Sequence, residues 1–125
     1  MNILIDANVI LRYLLDDDED MSLIAEQIIN SDSWTTPEVL AEIEYVLRDV
    51  YELPRADIHA AFCEIGGVVH FEPEDVVLGA IKEYKETNLD FVDCILVAYQ
   101  KLGITRVFSF DKGINKRLSM LFRAL

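Results

Sequence analysis

Four acidic residues, far apart along the chain, stand where apolar stretches end or where a helical stripe has its border. They are Asp6 after Ile3-Leu4-Ile5, Glu42 beside Ile43, Asp93 within Phe91-Val92-Asp93-Cys94, and Asp111 after Ser109-Phe110. A carboxylate at the end of a buried strand needs water, a hydrogen-bond donor or a cation. Carboxylates gathered within a few ångströms raise one another's pKa, whereas a bound Mg²⁺ or Mn²⁺ keeps them all ionised. No His or Cys stands at ligand spacing to these acids, and an oxygen-only set selects hard cations over zinc.

Each acid alone has an ordinary structural role. Asp6 fits a helix cap, Asp90 and Asp93 fit a capping pair three residues apart, and Asp111 before Lys112-Gly113 fits a turn. Glu42 has a competitor in Glu44, to which Arg48, four residues on, offers a surface ion pair. Pattern alone ranks the two glutamates nearly equally. Asn8, two residues after Asp6, is placed to orient a carboxylate or a water. His59 and His70 have no partner at ligand spacing and read as structural. Cys63 and Cys94 read as buried thiols. No serine or cysteine carries the signature of a nucleophile, and the only glycine pair, Gly66-Gly67, is a helix stop rather than a phosphate loop.

The elements that must position these residues follow from periodicity. Asn2–Ile5 is expected to be a short buried strand passing through Asp6-Ala7-Asn8 into a helical segment over Val9–Leu15. The five acids Asp16–Asp20 suit a solvated loop, after which Ser22–Ile29 resumes helical spacing. Trp34–Thr36 reads as a brief strand, with Thr36 as cap and Pro37 opening a helix that runs to Tyr51. Further helices are expected from Pro54 to Gly66-Gly67, from Pro73 to Lys85, and over Phe91–Leu102, the last apolar nearly all round and therefore buried. Val68–Phe71 and Ile104–Phe110 read as strands, and the chain after Asp111 as a short helical turn through Lys116 and Leu118, with the form of Met120–Leu125 left open. Strands alternating with helices predict an α/β sandwich with a central, mostly parallel sheet flanked by helices. Sheets of this kind bind ligands outside the carboxyl ends of their strands, where the strand order reverses. Asp6 and Asp111 both fall on that edge.

The 125 residues suit a single domain over 1–125, and 52% hydrophobic content is far from the composition of disorder. No apolar stretch is long enough to cross a bilayer and no leader pattern opens the sequence, so a cytoplasmic location is expected. The formal charge of −12 excludes a passive nucleic-acid binder, which needs Lys and Arg to replace the counterions of phosphate. An acidic protein that acts on phosphates needs bound divalent cations to supply that charge.

Taken in order, Ile3-Leu4-Ile5-Asp6-Ala7-Asn8-Val9-Ile10, Leu40-Ala41-Glu42-Ile43-Glu44-Tyr45-Val46-Leu47, Asp90-Phe91-Val92-Asp93-Cys94-Ile95 and Ser109-Phe110-Asp111 resemble the PIN-domain ribonucleases, especially the VapC-type toxins. The likeness spans almost the whole chain. It implies a PIN-like three-layer sandwich, and it implies that Asp6, Glu42, Asp93 and Asp111 hold the metal, preferring Glu42 over Glu44. Asn8, Asp90 and Ser109 match supporting polar positions. Ala7 stands where the family often has Thr, which removes a supporting hydroxyl but no ligand. The implied activity is hydrolysis of an RNA phosphodiester assisted by Mg²⁺ or Mn²⁺. A homodimer and a cognate antitoxin are implied as well.

Three other readings fit less of the sequence. A haloacid-dehalogenase-type phosphatase needs a second Asp two residues after the first, where this chain has Asn8. A phospho-accepting receiver domain needs an Asp at the end of its third strand, where Val69-His70-Phe71-Glu72-Pro73 has none. A catalytically silent PIN-like binding module is the remaining alternative, disfavoured by the presence of all four acids.

Overall fold

The computed structural model describes residues 3–16 and 18–124, with the side chains of the last helix as far as Ser119. Within them the order is β1 (Ile3–Leu4), α1 (Ala7–Leu15), α2 (Glu19–Ile29), β2 (Ser33–Thr35), α3 (Pro37–Asp49), α4 (Arg55–Gly66), β3 (His70–Phe71), α5 (Glu74–Glu86), α6 (Phe91–Lys101) and α7 (Lys112–Ala124). The strands form one parallel sheet in the order β1-β2-β3, with Leu4 opposite Trp34 and Thr35 opposite Phe71. Parallel neighbours need crossover connections, and here the helices between successive strands provide them. The result is the α/β sandwich expected from the alternation of strand and helix patterns.

Short local signals set the helix starts. Asp6, Asp18 and Asp90 each accept a bond from the backbone N–H three residues on, and Thr36 does the same for Val39 just ahead of Pro37 at the first helical position. Such caps satisfy donors that the first turn leaves unpaired. The main core joins Ile5, Ile10, Leu40, Ile43 and Val77 with a triangle of Phe62, Tyr84 and Phe91, whose ring centroids lie 4.7 to 6.1 Å apart. Val97, Ile114 and Leu118 form a smaller cluster that seats α7 on α6.

Glu83 on α5 is fully buried and is neutralised from two other helices: Lys101 Nζ lies 3.3 Å and Arg117 Nε 2.8 Å from its carboxylate. Arg117 also reaches Glu86 at 2.9 Å. A buried charge is tolerable only with such partners. The triad therefore fixes α5, α6 and α7 relative to one another.

Several expectations need correction. The acidic run is not merely a loop, since Asp18 caps α2 and Glu19 and Asp20 lie in its first turn, where negative charge is favoured; Asp17 lies outside the described residues, as does Asn2 of the first expected strand. Cys63 is exposed, with His59 at 4.0 Å, while Cys94 is buried as expected. Helix α6 is not covered all round, because Val92 is exposed. The tail is a helix of 13 residues rather than a short turn, and the position of Leu125 lies outside the described residues.

The largest difference is Ile104–Phe110, which forms no strand. Its backbone donors are engaged elsewhere: Ile104 N–H donates to the Tyr99 carbonyl at the end of α6, and Val107 N–H to Gln100 Oε1 at 2.8 Å. Consequently the strand order does not reverse beside β1 among the described residues. Phe108 and Phe110 stand 84% and 90% exposed, edge to face on each other with centroids 5.2 Å apart.

Candidate functional site

Asp6 lies one residue beyond Ile5 and caps α1, its Oδ1 accepting from Val9 N–H at 3.1 Å. Asp90 caps α6 in the same way, Oδ1 accepting from Asp93 N–H at 2.9 Å. Asp111 caps α7, Oδ1 accepting from Ile114 N–H at 2.9 Å, while its own N–H donates to Ser109 Oγ at 2.9 Å. Asn115 Nδ2 donates to the Ser109 carbonyl at 2.7 Å and closes this turn. Cap and ligand roles are thus compatible, because each cap uses one carboxylate oxygen and leaves the other. Asn8 is exposed in the first turn of α1.

Asp93 shows how these groups affect one another. Its carboxyl is pushed up to about 6, first by burial, then by the charge of Asp90 and a hydrogen bond with it, and then by the charge of Asp111. All four causes favour the protonated acid. Asp90 and Asp111 both act on Asp93 as negative charges. That donor chemistry suits a hard divalent cation.

Neither Asp6 nor Glu42 is among the charges acting on Asp93, and among the described residues no three of Asp, Glu, His and Cys converge closely enough to hold a metal ion. Glu42 is exposed on α3. Glu44 is different. It is 3% exposed, and its Oε2 accepts from Tyr84 Oη at 3.2 Å and pairs with Arg48 Nε at 3.1 Å. The expected ion pair is present, but the glutamate is buried rather than at the surface. Beside Tyr84 it raises that phenol's pKa, an effect second to burial.

Two supporting residues escaped the sequence reading. Arg55, at the start of α4, donates from Nε to the Tyr84 carbonyl at 2.9 Å and from Nη2 to the Leu89 carbonyl, with its guanidinium 3.6 Å from the Tyr84 ring centroid. It thereby fixes the chain just before Asp90. Gly113 is the other: a Cβ there would lie 3.1 Å from Leu89 Cδ2 and 3.2 Å from Asp111 Oδ1. A side chain there would press on both, and each would have to give by a few tenths of an ångström. Asp-Lys-Gly after a strand pattern was a usable signal for Gly113, whereas Arg55 acts across 34 residues and leaves no local trace.

An α/β sandwich with acids capping helices beside a parallel sheet does not by itself single out one family. The family is given by comparison: the model of the PIN domain matches residues 3–117, and the chain belongs to the PIN domain family. Comparisons with curated proteins and with solved structures return no match. PIN domains are generally nucleases that act on RNA or DNA, typically with divalent metals. No helix among the described residues is long and apolar enough to cross a membrane.

Proposed function

We propose that this chain is a single-domain, Mg²⁺- or Mn²⁺-dependent endoribonuclease and the toxin of a toxin–antitoxin pair. The observation that carries the metal site is Asp93, an acid whose carboxyl is raised by burial and by the charges of Asp90 and Asp111. Family membership over residues 3–117 supplies the nuclease class.

In this reading Asp6, Glu42, Asp93 and Asp111 hold the cation. Asn8 and Ser109 orient the acids beside them, and Asp90 fixes the start of α6 while adding negative charge next to Asp93. A cation bound there would activate a water for in-line attack on the phosphodiester and neutralise charge on the leaving oxygen. The caps at Asp6 and Asp111 place two carboxylates at helix starts, where they are held in orientation before substrate arrives. Glu44, engaged by Tyr84 and Arg48, has a packing role.

The partners proposed are an RNA substrate, a second copy of the chain, and an antitoxin whose Arg or Lys residues approach the acidic site; a guanidinium binds a carboxylate bidentately. The location proposed is cytoplasmic. The test is cleavage of labelled RNA with Mg²⁺, Mn²⁺ or EDTA, for the wild type and Asp93→Asn. Metal-dependent cleavage that Asp93→Asn loses is expected. Binding of a partner without any cleavage, under all metal conditions, would favour the silent binding module. Expression with and without the chromosomal neighbour, scored by growth and copurification, tests the toxin role separately.

A further inference from the structure

Charge is spread unevenly along this chain. Residues 1–100 hold 22 of the 23 acids and five of the 11 basic residues, a balance of −17, whereas residues 101–125 hold six basic residues and one acid, a balance of +5. That one acid is Asp111. An asymmetry of this kind fits contact with a polyanion, which the overall charge conceals. Lys101 and Arg117 are neutralised by Glu83 and Glu86. Arg106, Lys112 and Lys116 are exposed, and none of them forms an ion pair among the described residues. Lys112 and Lys116, four residues apart, share one face of α7.

Two aromatic rings stand among these free cations. Between Arg106 and Lys112, the exposed Phe108 and Phe110 alternate with the half-buried Val107 and Ser109. The rings meet edge to face at 82°, so their contact uses at most one face of one ring and leaves the others open. Single-stranded nucleic acid supplies both things this surface lacks, bases to stack on the rings and phosphates to meet the cations. A duplex keeps its bases stacked on one another. An apolar protein would leave the three cations unused, and an acidic peptide would leave the rings unused.

We propose that Arg106, Phe108, Phe110, Lys112 and Lys116 form a seat for single-stranded RNA, with bases stacked on the two rings and phosphates held by the three cations. The proposal rests on the nuclease reading of the site and adds to it the path of the substrate. Because Asp111 follows Phe110 directly, a base on that ring brings its own phosphate next to an acid of the site. The seat binds the strand by its charge and by the presence of bases, without reading their identity.

The experiment is fluorescence anisotropy of a labelled RNA of about ten nucleotides, a usual site size for such surfaces, against the full chain in EDTA, which keeps the strand intact, at several salt concentrations. Phe108→Leu/Phe110→Leu keeps apolar bulk but removes the π-faces and should weaken binding about tenfold or more. An abasic strand of the same length should bind the wild type more weakly by a similar factor and should not distinguish the two proteins. Lys112→Gln/Lys116→Gln should lower the slope of log Kd against log salt by about 1.4, since each phosphate contact of a single strand contributes about 0.7. Equal affinity of wild type and leucine variant, equal affinity for normal and abasic strands, an unchanged salt slope, or no RNA binding each overturns the seat. A leucine variant that alters sedimentation while RNA binding stays the same also overturns it, in favour of a protein interface. Cleavage is scored separately in Mg²⁺ and Mn²⁺. Equal cleavage by wild type and leucine variant, with equal binding, rejects the seat and keeps the nuclease reading, whereas ring-dependent binding without cleavage in either metal keeps the seat and rejects that reading.

Discussion

Neutralising Asp93 should stabilise the protein when no divalent cation is present, although the same change should abolish cleavage. The carboxyl is raised from 3.8 to about 6 in the folded chain. Below 3.8 the folded and unfolded chains both hold the proton. Between there and 6 the unfolded chain releases it first, so stability falls as pH rises, and above 6 the full penalty persists. A shift of that size corresponds to at most about 3 kcal/mol, and because Asp93 is partly exposed, solvent screening reduces this to about 1.5 kcal/mol. Asp93→Asn also gives up an acid in the first turn of α6, worth about 0.5 kcal/mol to the helix dipole. The net expectation is a gain of about 1 kcal/mol at pH 7.5 in EDTA, or a rise of roughly 3 to 5 °C in Tm for a chain of this size. The cap bond from Asp93 N–H to Asp90 survives, since it uses the backbone. Urea unfolding of both proteins in EDTA at pH 5 and pH 7.5 measures the difference, and comparing them cancels the general effect of net charge. The gain should be smaller at pH 5, where the folded wild type still holds most of the proton. A variant that is equally or less stable at pH 7.5 refutes the repulsion argument.

Asp6→Asn and Asp111→Asn should each lower RNA cleavage at least about 100-fold, the scale of preorganised electrostatic contributors, with circular dichroism unchanged. Glu42→Gln and Glu44→Gln should separate: the first loses cleavage with stability intact, and the second keeps most cleavage but loses about 1 to 2 kcal/mol in urea unfolding, because its partners Tyr84 and Arg48 remain. Mn²⁺ at a hundred times its dissociation constant should add about 2.7 kcal/mol to the wild type and little to Asp93→Asn, read by thermal unfolding. Glu83→Gln should cost about 1 to 2 kcal/mol without touching metal affinity, since it leaves Lys101 without its counter-charge and Arg117 with Glu86 alone.

Much of the layout was legible because its causes are local. Thr36-Pro37, Asp90 three residues before Asp93, and the stripe Leu40, Ile43, Leu47 are signals within one or two helical turns, and the structure places a cap, a cap and a buried helix face there. Ile104–Phe110 misled because a strand pattern states only what a segment can do; pairing is settled elsewhere, here by Gln100 taking the Val107 N–H. Glu44 and Glu42 could not be separated by pattern, since burial of Glu44 depends on Tyr84, 40 residues away. The coupling of Asp90 and Asp93 could be read from their spacing, whereas the influence of Asp111 on Asp93 required the docking of α7 on α6.

The position of Glu83 has a consequence for how the molecule comes apart. A carboxylate with no exposure, neutralised by one side chain from α6 and one from α7, penalises any partial opening that removes either partner. Fraying of α7 from its terminal end would strip Arg117 from a charge that cannot reach water, so α5, α6 and α7 should open as one cooperative unit rather than in succession. Proteolytic nicking within α7 would then release more than a tail. It would loosen the helix that carries Asp90 and Asp93 and switch off the site from a point well removed in sequence.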